Sequence, residues 1–159
     1  MWVVGLSFLL VVADQAAKFR ICRAFYPGES VAVIPGFFHL TYVRNTGAAW
    51  GMLSGSNGWL AALSVVLLAL LVVFRRKVLT ESRMHRLALG CLAGGIVGNL
   101  VDRVRLAYVV DFLDFFWRGW HFPAFNVADA SICIGVGLYL LTSARRPAAP
   151  AGADGAPSP

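Results

Sequence analysis

The sequence predicts an integral membrane protein, mainly α, built as a bundle of four transmembrane helices with a small sheet on its outer surface. Three observations carry that prediction. Of 159 residues, 58% are hydrophobic and only 14% are charged, whereas a soluble domain carries roughly 25% charged residues. The mean hydropathy is +0.70. Four apolar stretches also approach the length of about 20 helical residues that a hydrocarbon core about 30 Å thick requires.

Those stretches are predicted as helices over about 1–21, 59–74, 84–101 and 126–142. The second, LAALSVVLLALLVVF, is a clean run, while the other three carry polar residues and so belong in a bundle. The first could be mistaken for a secretory signal peptide. It lacks a basic leading region, and Asp14 and Lys18 stand where a cleavage site would be sought, so it is read as a retained helix. Residues 1–143 are expected to form one membrane domain. The remainder, 144–159, is rich in Pro, Ala and Gly and is expected to be a disordered cytoplasmic tail.

The net charge of +6 does not indicate nucleic acid, because the basic residues cluster beside apolar runs. Arg75, Arg76, Lys77, Arg83 and Arg86 crowd the link between the second and third segments, and Arg145 and Arg146 flank the fourth. The positive-inside rule places both clusters, and with them both termini, in the cytoplasm. The links 22–58 and 102–125 then face outward, although they also hold Arg23, Arg44, Arg103, Arg105 and Arg118.

In the first outer link, Ser30–Ile34 and His39–Val43 read as two short strands joined across Pro35-Gly36. The second, with DFLDFFWRGWHFPAF, reads as an aromatic belt at the membrane interface. Cys22, Cys91 and Cys133 lack CxxC spacing. They exclude a disulfide framework and a structural zinc site, and are read as buried packing thiols. Gly90, Gly94 and Gly98 recur every four residues and predict a face for close helix packing.

Of eight acidic residues, Asp14, Asp102, Asp111, Asp114 and Asp129 lie in or beside the predicted spans. An Asp at a helix centre costs roughly 3 kcal/mol to insert, so such residues need partners or a chemical role. All five map to the outer leaflet, which predicts a shared polar site there. Asp14–Lys18 and Asp102–Arg103 read first as structural neutralisation. Asn99 is in reach of Asp102 and Arg103, and Asn126 of Asp129. Asp111 and Asp129 have no basic residue at helical pairing distance and are the better candidates for chemistry.

Two carboxylates that share a proton can hydrolyse a peptide bond. One stays ionised and takes a proton from water, and the other polarises the scissile carbonyl. The three histidines lie far apart and there is no HExxH, so zinc hydrolysis lacks ligands. No metal and no cofactor is expected. A Ser–Lys pair is poorly served, because Lys77 is cytoplasmic and Lys18 is close to Asp14. Two other readings compete. In a small ion- or proton-coupled transporter, polar residues should run through both leaflets, whereas the inner halves of these segments read as apolar. In a scaffold, the acids would only hold helices together.

Five blocks in order, DQAAK at 14–18, RNTGAAWG at 44–51, GGIVGNLVDR at 94–103, VVDFLDF at 109–115 and FNVADA at 125–130, resemble the signature blocks of lipoprotein signal peptidase, or signal peptidase II. The resemblance implies a bacterial inner-membrane aspartyl endopeptidase with four transmembrane helices and an extracytoplasmic β-rich cradle. Its substrates would be diacylglyceryl-modified prolipoproteins, cut just before the lipidated cysteine. The implied partners are those substrates and membrane lipids, with no nucleic acid, and the chain is expected to act as a monomer. The catalytic aspartates would be Asp111 and Asp129. Asp14, Lys18, Asn45, Gly47, Asn99, Asp102, Arg103 and Asn126 would line the site, hold substrate or support it. Trp50 stands where the family more often has Phe, a departure that touches local packing. Ala88–Cys91 is like the cleavage box of a lipoprotein substrate, but inside the third helix it is a chance match.

Overall fold

The computed structural model describes residues 2–48, 52–78 and 82–144. Its elements are α1 (Trp2–Ala24), β1 (Ser30–Ile34), β2 (Phe38–Asn45), α2 (Asn57–Val78), α3 (Arg83–Leu106), β3 (Val109–Trp117), β4 (Trp120–His121) and α4 (Val127–Ala144). All four helices are long and apolar enough to cross a membrane. The tail beyond Ala144, and Trp50, lie outside the described residues.

Helix α3 is the centre of the bundle, with α1, α2 and α4 packed around it. Its glycines make this close packing possible. A Cβ on Gly90 would meet the Leu6 side chain, one on Gly94 would meet Ser7 and Leu10, and one on Gly98 would meet Asp14. The stripe read from the sequence is therefore the face that receives α1. A second pair, Gly95 on α3 and Gly135 on α4, brings those two helices together: a Cβ on Gly95 would collide with the Ala128 carbonyl oxygen and one on Gly135 would meet Leu92 and the Ala88 carbonyl. Ser82 caps α3, its Oγ accepting from the Met84 N–H at 3.2 Å. The helix ends at Ala107, which takes left-handed dihedrals and donates to the Arg103 carbonyl.

The sheet is larger than expected. Strands β1 and β2 pair antiparallel across the Pro35-Gly36 turn, as their alternation predicts, but the sheet continues through β3 and β4 in the order β1-β2-β3-β4. Residues 109–117, read as an aromatic link, form a strand that pairs with β2, placing Val43 opposite Asp111 and Asn45 opposite Val109. A bulge between Leu40 and Val43 interrupts that ladder just before Asp111, a frequent device beside active sites. Strands β3 and β4 turn tightly at Arg118 and Gly119, both at positive φ (50° and 84°), as two-residue hairpins require. Ile21 from α1 packs with Tyr42, Val110 and Phe112, fixing the sheet to one end of the bundle.

Several expectations are corrected. Asp102 does not end the third helix, which runs another turn to Leu106. The thiols are free, but Cys22 and Cys133 are exposed and Cys91 half-buried rather than buried; Cys133 borders the open cavity that Asp111 and Asp129 line. The half of the bundle away from the sheet, expected to be apolar, holds buried His85, 3.3 Å from the Thr142 hydroxyl.

Candidate active site

The route of the chain explains how two aspartates distant in sequence meet. After β4, residues 122–125 return along β3, and Phe125 exchanges hydrogen bonds with Leu113 at 2.8 and 3.0 Å. Asn126 is thereby delivered beside Asp111 at the start of α4. There its side-chain Oδ1 accepts from the Asp129 N–H at 2.9 Å, while the Asn126 N–H donates to Asp129 Oδ2 at 3.3 Å. This reciprocal cap places Asp129 in the first turn of α4, facing the strand that carries Asp111.

Both carboxylates line one cavity of about 710 Å³, together with Asn45, Gly47, Asn99, Arg103, Arg44, Cys133 and the 122–125 segment. Asp111 accepts from Asn126 Nδ2 at 2.7 Å and from Asn45 Nδ2 at 2.8 Å. Asp129 accepts from Asn99 Nδ2 at 2.7 Å. Each of these amides is held in that orientation by a donor behind it. Asn45 Oδ1 accepts from the Gly47 N–H and Asn126 Oδ1 from the Asp129 N–H, each at 2.9 Å, and Asn99 Oδ1 accepts from the Lys18 ammonium at 3.0 Å. The amides therefore turn N–H groups, and not carbonyls, toward the pair. Such a shell favours negative charge on it.

Neither Asp111 nor Asp129 pairs with a cation among the described residues. Burial pushes Asp111 up to about 7, with the negative charge of Asp129 adding to the rise and the Asn45 and Asn126 donors opposing it. The proton affinity of Asp111 is thus raised beside a second carboxylate. This is the arrangement that hydrolysis by two carboxylates requires.

Behind the cavity sits a buried ion cluster. Lys18 lies 2.8 Å from Asp14 and 2.9 Å from Asp102. These residues are only 3%, 1% and 2% exposed. Structural neutralisation holds for Asp14–Lys18, but the partner of Asp102 is Lys18 and not Arg103. The cause is geometric: adjacent residues on α3 point about 100° apart, so Asp102 faces α1 while Arg103 faces the cavity. Arg103 instead donates from Nη2 to the Gly47 carbonyl at 2.9 Å, and its buried Nε and Nη1 bond nothing among the described residues. Asn99 likewise joins Lys18, Asn126 and Asp129, and not its own helix neighbours.

The structure thus brings Asn45, Gly47, Asn99, Arg103, Asp111 and Asp129 to one wall, with Asp14, Lys18, Asp102 and Asn126 behind it. Asp114 stands apart, 3.7 Å from His121. Sequence reasoning missed Gln15, whose Nε2 bonds Asp102 Oδ1 at 2.9 Å, the Gly98 carbonyl at 3.1 Å and Asp14 Oδ2 at 3.2 Å. It also missed Asn57, which donates to the Arg103 carbonyl at 3.1 Å. Neither is charged, and the shortest bond of each reaches another helix, so no local signal marks them.

Comparison with known proteins agrees with this geometry. Residues 6–145 match the family model described as signal peptidase (SPase) II. The lipoprotein signal peptidase of Actinobacillus succinogenes is 43% identical over 148 residues, covering 87% of this chain and 90% of that protein. That of Shewanella sediminis is 46% identical over 146 residues, covering 89% and 81%. Two solved structures, described as bacterial membrane enzymes determined by the in meso method at 2.3 and 1.9 Å resolution, superpose with TM-scores of 0.84 and 0.81. Both are 36% identical to this chain and cover 90% of it, and it covers 87% and 92% of them. The chain belongs to the signal peptidase II family of aspartic peptidases and is a multi-pass membrane lipoprotein signal peptidase.

Proposed function

We propose that Asp111 and Asp129 are the catalytic pair, and that they remove the signal peptide of diacylglyceryl-modified prolipoproteins just before the lipidated cysteine. The observation that carries this reading is the pair itself. Two carboxylates line one cavity, every amide bonded to their side chains donates to them, and no cation among the described residues pairs with either. The ionised member takes a proton from a water whose oxygen attacks the scissile carbonyl carbon. The protonated member gives its proton to the carbonyl oxygen. As the tetrahedral diol collapses, one hydroxyl returns its proton to the carboxylate that had protonated the carbonyl oxygen, the C–N bond breaks, the leaving nitrogen takes the proton held by the other, and a carboxylic acid is released.

Other residues act on the substrate backbone in this reading. Arg103 lines the cavity, and its Nε and Nη1 bond nothing among the described residues, which supports a role for this guanidinium toward a peptide carbonyl. The bond from Nη2 to Gly47 holds the guanidinium against the loop after β2. Charge placement supports an inner-membrane orientation with both termini cytoplasmic and the site at the outer leaflet. The chain acts as a monomer.

The test follows cleavage of a diacylglyceryl-modified prolipoprotein by gel shift, with wild type, Asp111→Asn and Asp129→Asn purified in detergent and folding checked by thermal unfolding. Wild type cleaves and both folded variants are inactive if the assignment is right. Near-normal activity in either folded variant rejects it.

A further inference from the structure

Asp14 and Asp102 do more than neutralise Lys18. Asp14 Oδ1 accepts from the Ala128 N–H at 2.9 Å, and Asp102 Oδ2 accepts from the Val110 N–H at 3.0 Å. Ala128 immediately precedes Asp129, and Val110 immediately precedes Asp111. Each buried carboxylate therefore grips the peptide N–H just before one member of the reactive pair. The two grips come from different helices, α1 and α3, and the Lys18 ammonium joins them at 2.8 and 2.9 Å. The third ammonium N–H goes to Asn99 Oδ1 at 3.0 Å, and Asn99 donates to Asp129. All three donors of Lys18 are thus spent on groups that lead to the pair within one or two bonds.

We propose that Lys18 is a positioning residue of the reaction: by clamping Asp14 to Asp102 it holds the segments carrying Asp111 and Asp129 at the spacing where the two carboxylates share one proton. This rests on the reading that Asp111 and Asp129 are the catalytic pair. The charged groups around the clamp and the pair are Asp14 on α1, Asp102 and Arg103 on α3, Asp111 on β3 and Asp129 on α4, with Arg44 of β2 on the same cavity wall. Lys18 with Arg103 offsets Asp14 with Asp102, and Arg44 adds one positive charge at the cavity wall. Lys18 touches neither reacting carboxylate and acts through other groups.

The spacing of two coupled carboxylates is read in the width of the pH profile, because closer groups titrate further apart. Lys18→Met alone leaves two buried carboxylates uncompensated and is expected to fold poorly. The informative variant is Lys18→Met with Asp14→Asn and Asp102→Asn, in which each Asn keeps a carbonyl oxygen for the Ala128 or Val110 N–H. Cleavage of the lipidated prolipoprotein should lose kcat on the order of 10²-fold, the scale of a small misplacement of reacting groups, with KM unchanged. The two limbs of the kcat/KM bell should also draw together by about one pH unit, as expected when a coupling of that size is relaxed. A folded variant with an unmoved bell, whether its kcat is normal or low, overturns the proposal and leaves the cluster as scaffold.

Asn99→Leu keeps the Lys18–Asp14–Asp102 ion pairs and removes the bonds of Asn99 to Lys18, Asn126 and Asp129, so it decides the matter if the triple variant does not fold. It should shift the acid limb toward higher pH and leave the alkaline limb in place, whereas a uniform loss across pH overturns the proposal. Activity in folded Asp111→Asn or Asp129→Asn would instead reject the catalytic pair itself, whatever the width of the bell.

Discussion

Asn126 donates a 2.7 Å hydrogen bond from Nδ2 to Oδ1 of Asp111, so the residue that caps α4 also orients the carboxylate on β3. Its Oδ1 is engaged by the Asp129 N–H, which leaves the amide no freedom to flip. Asn126→Ala removes the cap and the donor together. Stability should fall by about 1 kcal/mol, the usual cost of losing such a cap. Activity should fall much further, on the order of 10²-fold. Thermal unfolding and the gel-shift assay on the same preparation separate the two effects.

The raised proton affinity of Asp111 makes a signed prediction. Between its ordinary 3.8 and about 7, the folded protein holds a proton that the unfolded chain has released. Folding stability therefore falls as pH rises through that window and levels off above it. Asp111→Asn lacks this dependence, so the Tm of wild type relative to that variant should decline from about pH 4 to about pH 7 and then stay flat. Proteolytic activity should also decline as pH rises through about 7 and the retained proton is lost.

The glycines of α3 and α4 provide a paired packing test. A Cβ on Gly95 collides with the Ala128 carbonyl and lies 2.7 Å from Ile132 Cγ1, whereas one on Gly137 meets nothing within 4 Å. Gly95→Ala should cost about 1–3 kcal/mol, the usual penalty for overpacking, and lower Tm. Gly137→Ala should leave Tm unchanged or raise it slightly, since Gly weakens a helix interior by roughly 0.5–1 kcal/mol. Equal effects at the two positions would show that the α3–α4 approach is looser than described.

Asp114 is expected to be dispensable. It faces His121 at 3.7 Å and is not among the residues lining the cavity. Asp114→Asn should keep cleavage within about twofold of wild type, the range of substitutions away from special features. Complete loss would place it in the site.

Much of this architecture was legible in the residues, for identifiable reasons. Long apolar runs leave little choice but spanning helices, and Ser30–Ile34 pairs with β2 as its β-branched pattern suggests. Asp111 and Asp129 stood out because nothing basic lay at i±3 or i±4. Strand β3 was missed because Val109–Leu113 is buried or half-buried on both faces, which erases the alternation that marks a strand. The Asp102–Lys18 pair spans two helices, and helical spacing within one chain segment carries no information about such a contact. Gln15 escaped notice for the same reason.

The ion cluster also has a hereditary side. Lys18, Asp14 and Asp102 are satisfied by one another, by the Gln15 and Asn99 amides and by backbone, at depths where a lone charge is costly. A change at one codon of the three carries a folding penalty that changes at the other two relieve, so single replacements are the least stable genotypes, while the loss of the clamp itself still costs activity.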